Sequence, residues 1–167
     1  MTSFRVRPAT TADVWAIQVL VEPLVNERIL LGKDLVVFYE AVQEFRVAVA
    51  PDGRVIGCGA LHVMWHDLAE VRTLAVASEW LGKGVGHVLL EHIERDAHTL
   101  GLQRLFCLTF ETAFFTRHGF EPVNEELVDP AVFAQLSLSP DEGVAEFLDL
   151  SRVKPNTLGN TRMLKRL

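Results

Sequence analysis

The stretch Leu81-Gly82-Lys83-Gly84-Val85-Gly86 decides how the rest of the chain is read. Its three glycines alternate with other residues after a strand-like run, Val71-Arg72-Thr73-Leu74-Ala75-Val76, and an unbroken amphipathic segment over 87–100 follows. Strand, glycine loop and helix in that order aim free backbone N–H groups at an anion. Glycine lets the backbone approach the anion closely and take positive φ. A turn that serves only tight strand–helix packing gives the same string, so its surroundings must decide between a phosphate cradle and a packing turn.

Those surroundings are antiparallel. Residues 45–49 and 55–65 read as strands joined by the hairpin turn Pro51-Asp52-Gly53, and 69–76 as the next strand. The glycine loop thus follows the third strand of an antiparallel run, outside the βαβ alternation of a dinucleotide fold. It also lacks the Gly-Lys-Ser/Thr end of a Walker loop, because Gly84 is followed by Val85 and Gly86. Upstream, 4–7 alternates as a first strand, and Thr11 caps a helix over 11–20 that Pro23 disturbs. A loop over 26–33 and a short helix over 34–42 follow. Downstream come a strand over 104–108, a short helix over 111–118 ended by Gly119, and a brief strand over 120–123. Asp129-Pro130 opens a late helix, and 144–150 and 162–167 read as strands that close the sheet. The order β-α-α-β-β-β-α-β-α-β defines an α+β chain.

The 167 residues fit one domain spanning 1–167, long enough to bury a core without disulfide or metal staples. A hydrophobic share of 49% excludes a disordered chain. No apolar run reaches the ~20 residues of a membrane span, and the N-terminus has no signal-peptide core. A cytoplasmic protein is expected, with Cys58 and Cys107 as buried free thiols in apolar runs. The net charge of −6 argues against nonspecific nucleic-acid binding. Six scattered histidines lack ligand spacing, so no metal is expected.

At Leu74-Ala75-Val76-Ala77, four residues, and Gly82-Lys83-Gly84-Val85-Gly86-His87-Val88-Leu89-Leu90, the chain resembles the GNAT family of N-acetyltransferases. Gly84 and Gly86 match the family's acetyl-CoA signature, Gln/Arg-x-x-Gly-x-Gly/Ala, while Leu81 stands where Gln or Arg is usual. Phe114-Phe115-Thr116-Arg117-His118-Gly119-Phe120 is similar to a second family segment, Phe-Tyr-x-x-x-Gly-Phe. The match covers residues 4–125. It implies a three-layer α/β/α fold: a mixed, mainly antiparallel sheet, helices on both faces and a splayed central strand pair. A narrower resemblance, to N-acetylglutamate synthases, rests on Glu70-Val71-Arg72-Thr73-Leu74-Ala75-Val76, Arg104-Leu105-Phe106-Cys107-Leu108-Thr109, Ile29-Leu30-Leu31 and Asn160-Thr161-Arg162-Met163-Leu164. The stretch 149–156 is similar to the short, freestanding synthases. The resemblance implies transfer of acetyl from acetyl-CoA to the α-amine of L-glutamate, the first step of arginine biosynthesis. Glutamine has the same α-amino-acid head and is a second acceptor to consider. Other amines, and a non-catalytic acetyl-CoA or amino-acid sensor, are the competing readings.

The same resemblance assigns residues. Backbone of Leu74, Ala75 and Val76 would hold the pantetheine arm as an added strand. Gly82, Lys83, Gly84, Val85, Gly86 and His87 would cradle the pyrophosphate, and Phe115 and Arg117 lie in the second cofactor segment. Glu70 stands where the family places its catalytic Glu, with apolar sequence neighbours that suit a proton acceptor. The family's tyrosine acid is replaced by Phe115, and Tyr39 is the only tyrosine; Thr109 matches the hydroxyl residue that looks like the acid in the glutamate synthases, which implies that it serves the departing thiolate. Arg72, two residues from Glu70 on one strand face, is read as a carboxylate grip. Lys33, Leu30, Thr73, Thr161 and Arg162 complete the expected acceptor site, while Gly32 and Gly159 fall where the longer synthases have arginines. Apolar C-terminal strands suggest a homodimer.

Overall fold

The computed structural model describes residues 3–150 and 159–167. Its seven-stranded sheet runs β1-β2-β3-β4-β5-β7-β6, with β1 (Arg5–Pro8), β2 (Phe45–Val49), β3 (Val55–Trp65), β4 (Leu68–Val76), β5 (Arg104–Thr109), β6 (Glu121–Pro122) and β7 (Thr161–Arg166). The helices are α1 (Val14–Asn26), α2 (Leu35–Glu40), α3 (Val85–Thr99), α4 (Thr112–Arg117), α5 (Pro130–Leu136) and α6 (Glu142–Phe147). Every neighbouring pair is antiparallel except β4 with β5. The expected layers are present. Val14, Ile17 and Val21 of α1 pack with Phe38 of α2 on Phe45, Val47 and Cys58. Leu136 of α5 and Val144 and Phe147 of α6 cover Leu68, Phe106 and Leu164. Leu90, Ile93 and Ala97 of α3, with Phe115 of α4, pack on Ala69, Val71 and Leu105 from the opposite side.

Two glycines in β3 set how close α3 lies. A Cβ at Gly57 would stand 2.9 Å from Val85 Cγ1, and one at Gly59 2.8 Å from Ile93 Cδ1. Glycine at both places lets the helix sit down on the sheet, which brings its N-terminus to the end of β4.

The decisive irregularity lies in β4. Thr73 has φ 56, and the register with β3 shifts opposite it, between Cys58 and Ala60. An extra residue in one strand reverses the alternation beyond it. Before the bulge, Leu68 faces α5 and α6; after it, Leu74 and Val76 pack on the α3 side and Ala75 on the α1 side. The parallel pairing covers only Leu68–Glu70 against Arg104–Phe106, although β4 runs to Val76 and β5 to Thr109. The two central strands therefore part beyond Glu70, as expected.

Two readings are corrected. Pro23 lies inside α1, not at its end. The carbonyl that loses a partner there is that of Val19, an exposed residue, so water can satisfy it. The stretch 144–150 is no strand: α6 runs to Phe147, because Asp141 caps it by accepting a hydrogen bond from the Val144 N–H. Both cysteines are free and buried, and burial pushes the Cys58 thiol up to about 12. The matched stretch 151–156 lies outside the described residues. Among the described residues, no helix is long and apolar enough to cross a membrane.

Candidate active site

Beyond β4 the chain makes a 3₁₀ turn at Ser78–Trp80 and enters the glycine loop. Gly82 and Gly84 have φ of 74° and 84°, and Gly84 is the N-cap of α3. A left-handed backbone at both positions excludes most side chains, although a Cβ at either would meet no atom within 4 Å. The loop's outer side is open, and the first N–H groups of a 15-residue helix point out of it. The Lys83 ammonium lies 5.2 Å from the centre of the Trp80 ring. His87 pairs with His118 at 3.1 Å and with Glu91 at 3.2 Å. Leu81 is exposed, and its apolar side chain offers no hydrogen bond at that position. Phe114 of α4 rests against Gly86, whereas Phe115 is buried against Phe120 in the α3-side core. Arg117 is exposed on α4.

The other side of the parted strands carries the charge. Glu70 and Arg72, on the α6 side of β4, are joined: Arg72 Nε donates to Glu70 Oε1 at 2.9 Å and Nη2 lies 2.6 Å from the same oxygen. Arg72 also grips Asp141 with two parallel bonds of 3.0 Å. Asp141 thus caps α6 and ties it to β4 at once. Burial opposes ionisation of Asp141, yet the Arg72 guanidinium outweighs it and holds the carboxyl down at about 2. Burial likewise opposes the charge on Arg72, and its two carboxylates more than offset that. Gly143 is pressed onto this pair. A Cβ there would stand 2.4 Å from Arg72 Nη2 and 3.0 Å from Glu70 Oε1. His62, opposite Glu70 on β3, is held by the Glu44 carboxylate.

Two half-buried charges remain without a hydrogen bond or ion pair among the described residues. The first is the Lys33 ammonium, from the loop between α1 and α2. Burial lowers its pKa and Arg72 lowers it further, against the pull of Glu70, Asp141 and Glu44. The second is the Glu146 carboxylate of α6, which burial and then Glu70 raise to about 7, against Arg72 and Lys33. Leu30, from the same loop, packs against the α1–α2 cluster.

The remaining predicted residues stand around the parted ends. Thr109, at the end of β5, is buried, and its hydroxyl accepts a hydrogen bond from the Glu111 N–H at 2.8 Å. Thr161 of β7 lies opposite it. Thr73 is buried in the bulge, with its carbonyl accepting from the Cys58 thiol at 3.3 Å. Arg162 donates to the Phe147 carbonyl at 2.8 Å and lies over the Phe106 ring at 5.0 Å.

Two expectations change with this geometry. Glu70 does not sit among apolar groups, since its partner is a guanidinium. Arg72 is not an open carboxylate grip, since two carboxylates of the chain already engage it. Both follow from one omission: residues two apart on one strand face meet each other before any ligand does. The sequence reading also missed Asp141, Gly143, Glu146 and Asn160, whose Oδ1 is buried without a hydrogen-bond partner among the described residues. Ser139-Pro140-Asp141 followed by Glu142 is a helix-start signal that would have found α6 and its charges.

Known proteins place the chain. Residues 18–120 match the model of the acetyltransferase (GNAT) family. The chain is 55% identical to the amino-acid acetyltransferase of Mycobacterium tuberculosis, over 95% of its own length and 92% of that protein. A crystal structure of a Mycobacterium tuberculosis protein in complex with CoA and NLQ superposes with TM-score 0.95 at 55% identity, covering 98% of this chain and 99% of that one. The N-acetylglutamate synthase of Neisseria gonorrhoeae, complexed with coenzyme A and N-acetyl-glutamate, gives 0.77 at 25% identity over 100% of this chain and 36% of that one. The chain belongs to the GNAT acetyltransferase family and is an acetyltransferase.

Proposed function

We propose that this GNAT acetyltransferase acetylates the α-amine of an amino acid, L-glutamate foremost and L-glutamine as a second acceptor, with acetyl-CoA as donor. Lys33 carries the acceptor reading. Holding a half-buried ammonium with no hydrogen-bonded partner among the described residues is unfavourable, and a carboxylate ligand would relieve it with a charge-assisted bond. A polyamine has no group to offer Lys33. Elsewhere in the cleft Arg72 engages both Glu70 and Asp141, and His62 is bonded to Glu44. The names of the similar proteins support an amino-acid acceptor. Acetylation of glutamate would set the enzyme at the head of arginine biosynthesis.

The parted strands and the open glycine loop fit acetyl-CoA. Backbone of Leu74, Ala75 and Val76 would pair with the pantetheine arm, since β4 has no pairing with β5 beyond Glu70. N–H groups from Gly82 to His87 would hold the pyrophosphate, with Lys83 adding a charge. Acetyl-CoA supplies an acetyl thioester. Thr109 already accepts from Glu111, which leaves its own hydroxyl proton to face the departing sulfur. A carboxylate on the α6 side accepts the ammonium proton. Asn160 Oδ1 and Thr161 are further polar groups for the acceptor.

Thiol release from acetyl-CoA, measured with twenty amino acids and several polyamines, tests the assignment. Release with L-glutamate, absent with polyamines, is the expected result. Release with polyamines alone would give the cleft to cationic acceptors, and none with any amine, while acetyl-CoA still binds, would favour a sensor.

A further inference from the structure

We propose that Glu146 of α6, and not Glu70, receives the acceptor's α-ammonium and takes its proton; this rests on the amino-acid acceptor proposed above. Glu70 then acts as a positioning residue, the anion that fixes Arg72.

The geometry separates the two carboxylates. Glu70 Oε1 receives two contacts from Arg72, and Arg72 is anchored in turn by Asp141. That chain of bonds joins β4 to the N-cap of α6 and leaves Glu70 committed to the fold. Glu146 carries no such commitment: its carboxylate makes no hydrogen bond or ion pair among the described residues. Its carboxylate is nonetheless close enough to Glu70, Arg72 and Lys33 to interact with their charges. Gly143, one turn earlier on α6, is the residue pressed against Arg72 and Glu70, and residues i and i+3 of a helix share a face. The end of α6 is held in register by Arg162, which donates to the Phe147 carbonyl at 2.8 Å and lies 3.5 Å from that of Glu146.

The charges around Glu146 match a zwitterion. Glu70 and Arg72 face it from β4, Lys33 from the loop before α2, and Glu142 from its own helix. Arg72 is engaged by two carboxylates, and among the described residues the half-buried charged groups without a hydrogen bond or ion pair are the Lys33 ammonium and the Glu146 carboxylate. An α-amino acid has the complementary pair, with its carboxylate for Lys33 and its ammonium for Glu146. Burial and the neighbouring Glu70 charge raise the Glu146 carboxyl to about 7, which suits exchange of a proton near neutral pH. In the step itself, one N–H proton passes from the ammonium to Glu146. The freed lone pair forms the N–C bond as the C–S bond breaks. The second nitrogen proton goes to the thiolate through Thr109 or water, and Glu146 returns its proton to solvent.

Profiles of kcat/KM against pH with L-glutamate, for the wild type, Glu146→Gln, Glu146→Asp and Glu70→Gln, test this. A base must be ionised to act, so wild-type kcat/KM should fall as pH drops through about 7. Glu146→Gln should lose that limb and about 10²-fold or more of the rate at neutral pH, with a smaller deficit at high pH, where more of the amine is free. Glu146→Asp should keep the limb at a reduced rate, which separates loss of the carboxylate from loss of the helix. Glu70→Gln removes a charge that raises Glu146, so its limb should move to lower pH and persist. A Glu146→Gln enzyme with the wild-type limb, or a Glu70→Gln enzyme without one, would overturn the assignment. If no amino acid is acetylated by the wild type, the proposed function fails, not the choice between the two carboxylates.

Discussion

Replacing Arg72 with methionine should destabilise the protein by about 3–5 kcal/mol, the usual loss when one partner of a buried ion pair is removed. The Arg72 side chain is 11% exposed, that of Glu70 6% and that of Asp141 27%. Without the guanidinium, two carboxylates face each other across the α6–β4 contact and lose the group that binds both of them. For a domain of this size the midpoint of thermal unfolding should drop by about 10 °C or more. Acid stability should change as well. Arg72 holds the Asp141 carboxyl at about 2, against about 4 in an unfolded chain. The stability from this pair is complete above the unfolded value and disappears as pH falls through the folded one. The variant should lose that acid-sensitive portion. Urea unfolding of both proteins between pH 7 and pH 2 measures it, and a loss under 1 kcal/mol at neutral pH would mean that α6 is not locked to β4 by this residue.

Replacing Lys33 with methionine should act on the acceptor and spare the fold. A hydrogen bond to a charged group contributes about 1.5–3 kcal/mol, so KM for L-glutamate should rise about 10- to 100-fold. Affinity for acetyl-CoA should stay near the wild-type value, because the glycine loop and the β4 backbone are untouched. Among the described residues Lys33 has no hydrogen bond or ion pair to lose, and burial opposes its charge more than the nearby carboxylates favour it. The thermal midpoint should therefore hold or rise. Steady-state kinetics beside a melting curve checks both parts. An unchanged KM, or weaker binding of acetyl-CoA in place of glutamate, would remove Lys33 from the acceptor site.

The sequence made the donor side of this molecule far more readable than the acceptor side. The glycine loop, the hairpin at Pro51-Asp52-Gly53 and the amphipathic pattern of α3 are local signals, and each recurs in the structure with small shifts at its ends. The acceptor side depends on contacts between residues far apart in the chain. Arg72 and Asp141 are 69 positions apart, yet they form the joint on which α6 rests. No periodicity announces such a pair. The misreading of 144–150 as a strand had a physical source: Val144, Ala145, Phe147 and Leu148 are all buried. A short helix buried over most of its surface leaves a dense apolar run that resembles a core strand. With α6 misassigned, Glu146, Gly143 and Asp141 had no place near Glu70 and Arg72. Thr73 shows the same limit in the backbone, since nothing in its identity signals a bulge that turns Leu74 and Val76 to the other face of the sheet.

The central claim is transfer of acetyl to the α-nitrogen of glutamate, and an isotope experiment tests it most directly. The protein is incubated with acetyl-CoA labelled with ¹³C at the acetyl carbonyl and with ¹⁵N-labelled L-glutamate, and the mixture is followed by NMR. A one-bond ¹³C–¹⁵N coupling that grows in step with free CoA is the predicted result. Intact acetyl-CoA, or CoA released with the label in acetate and no coupled signal, would contradict it.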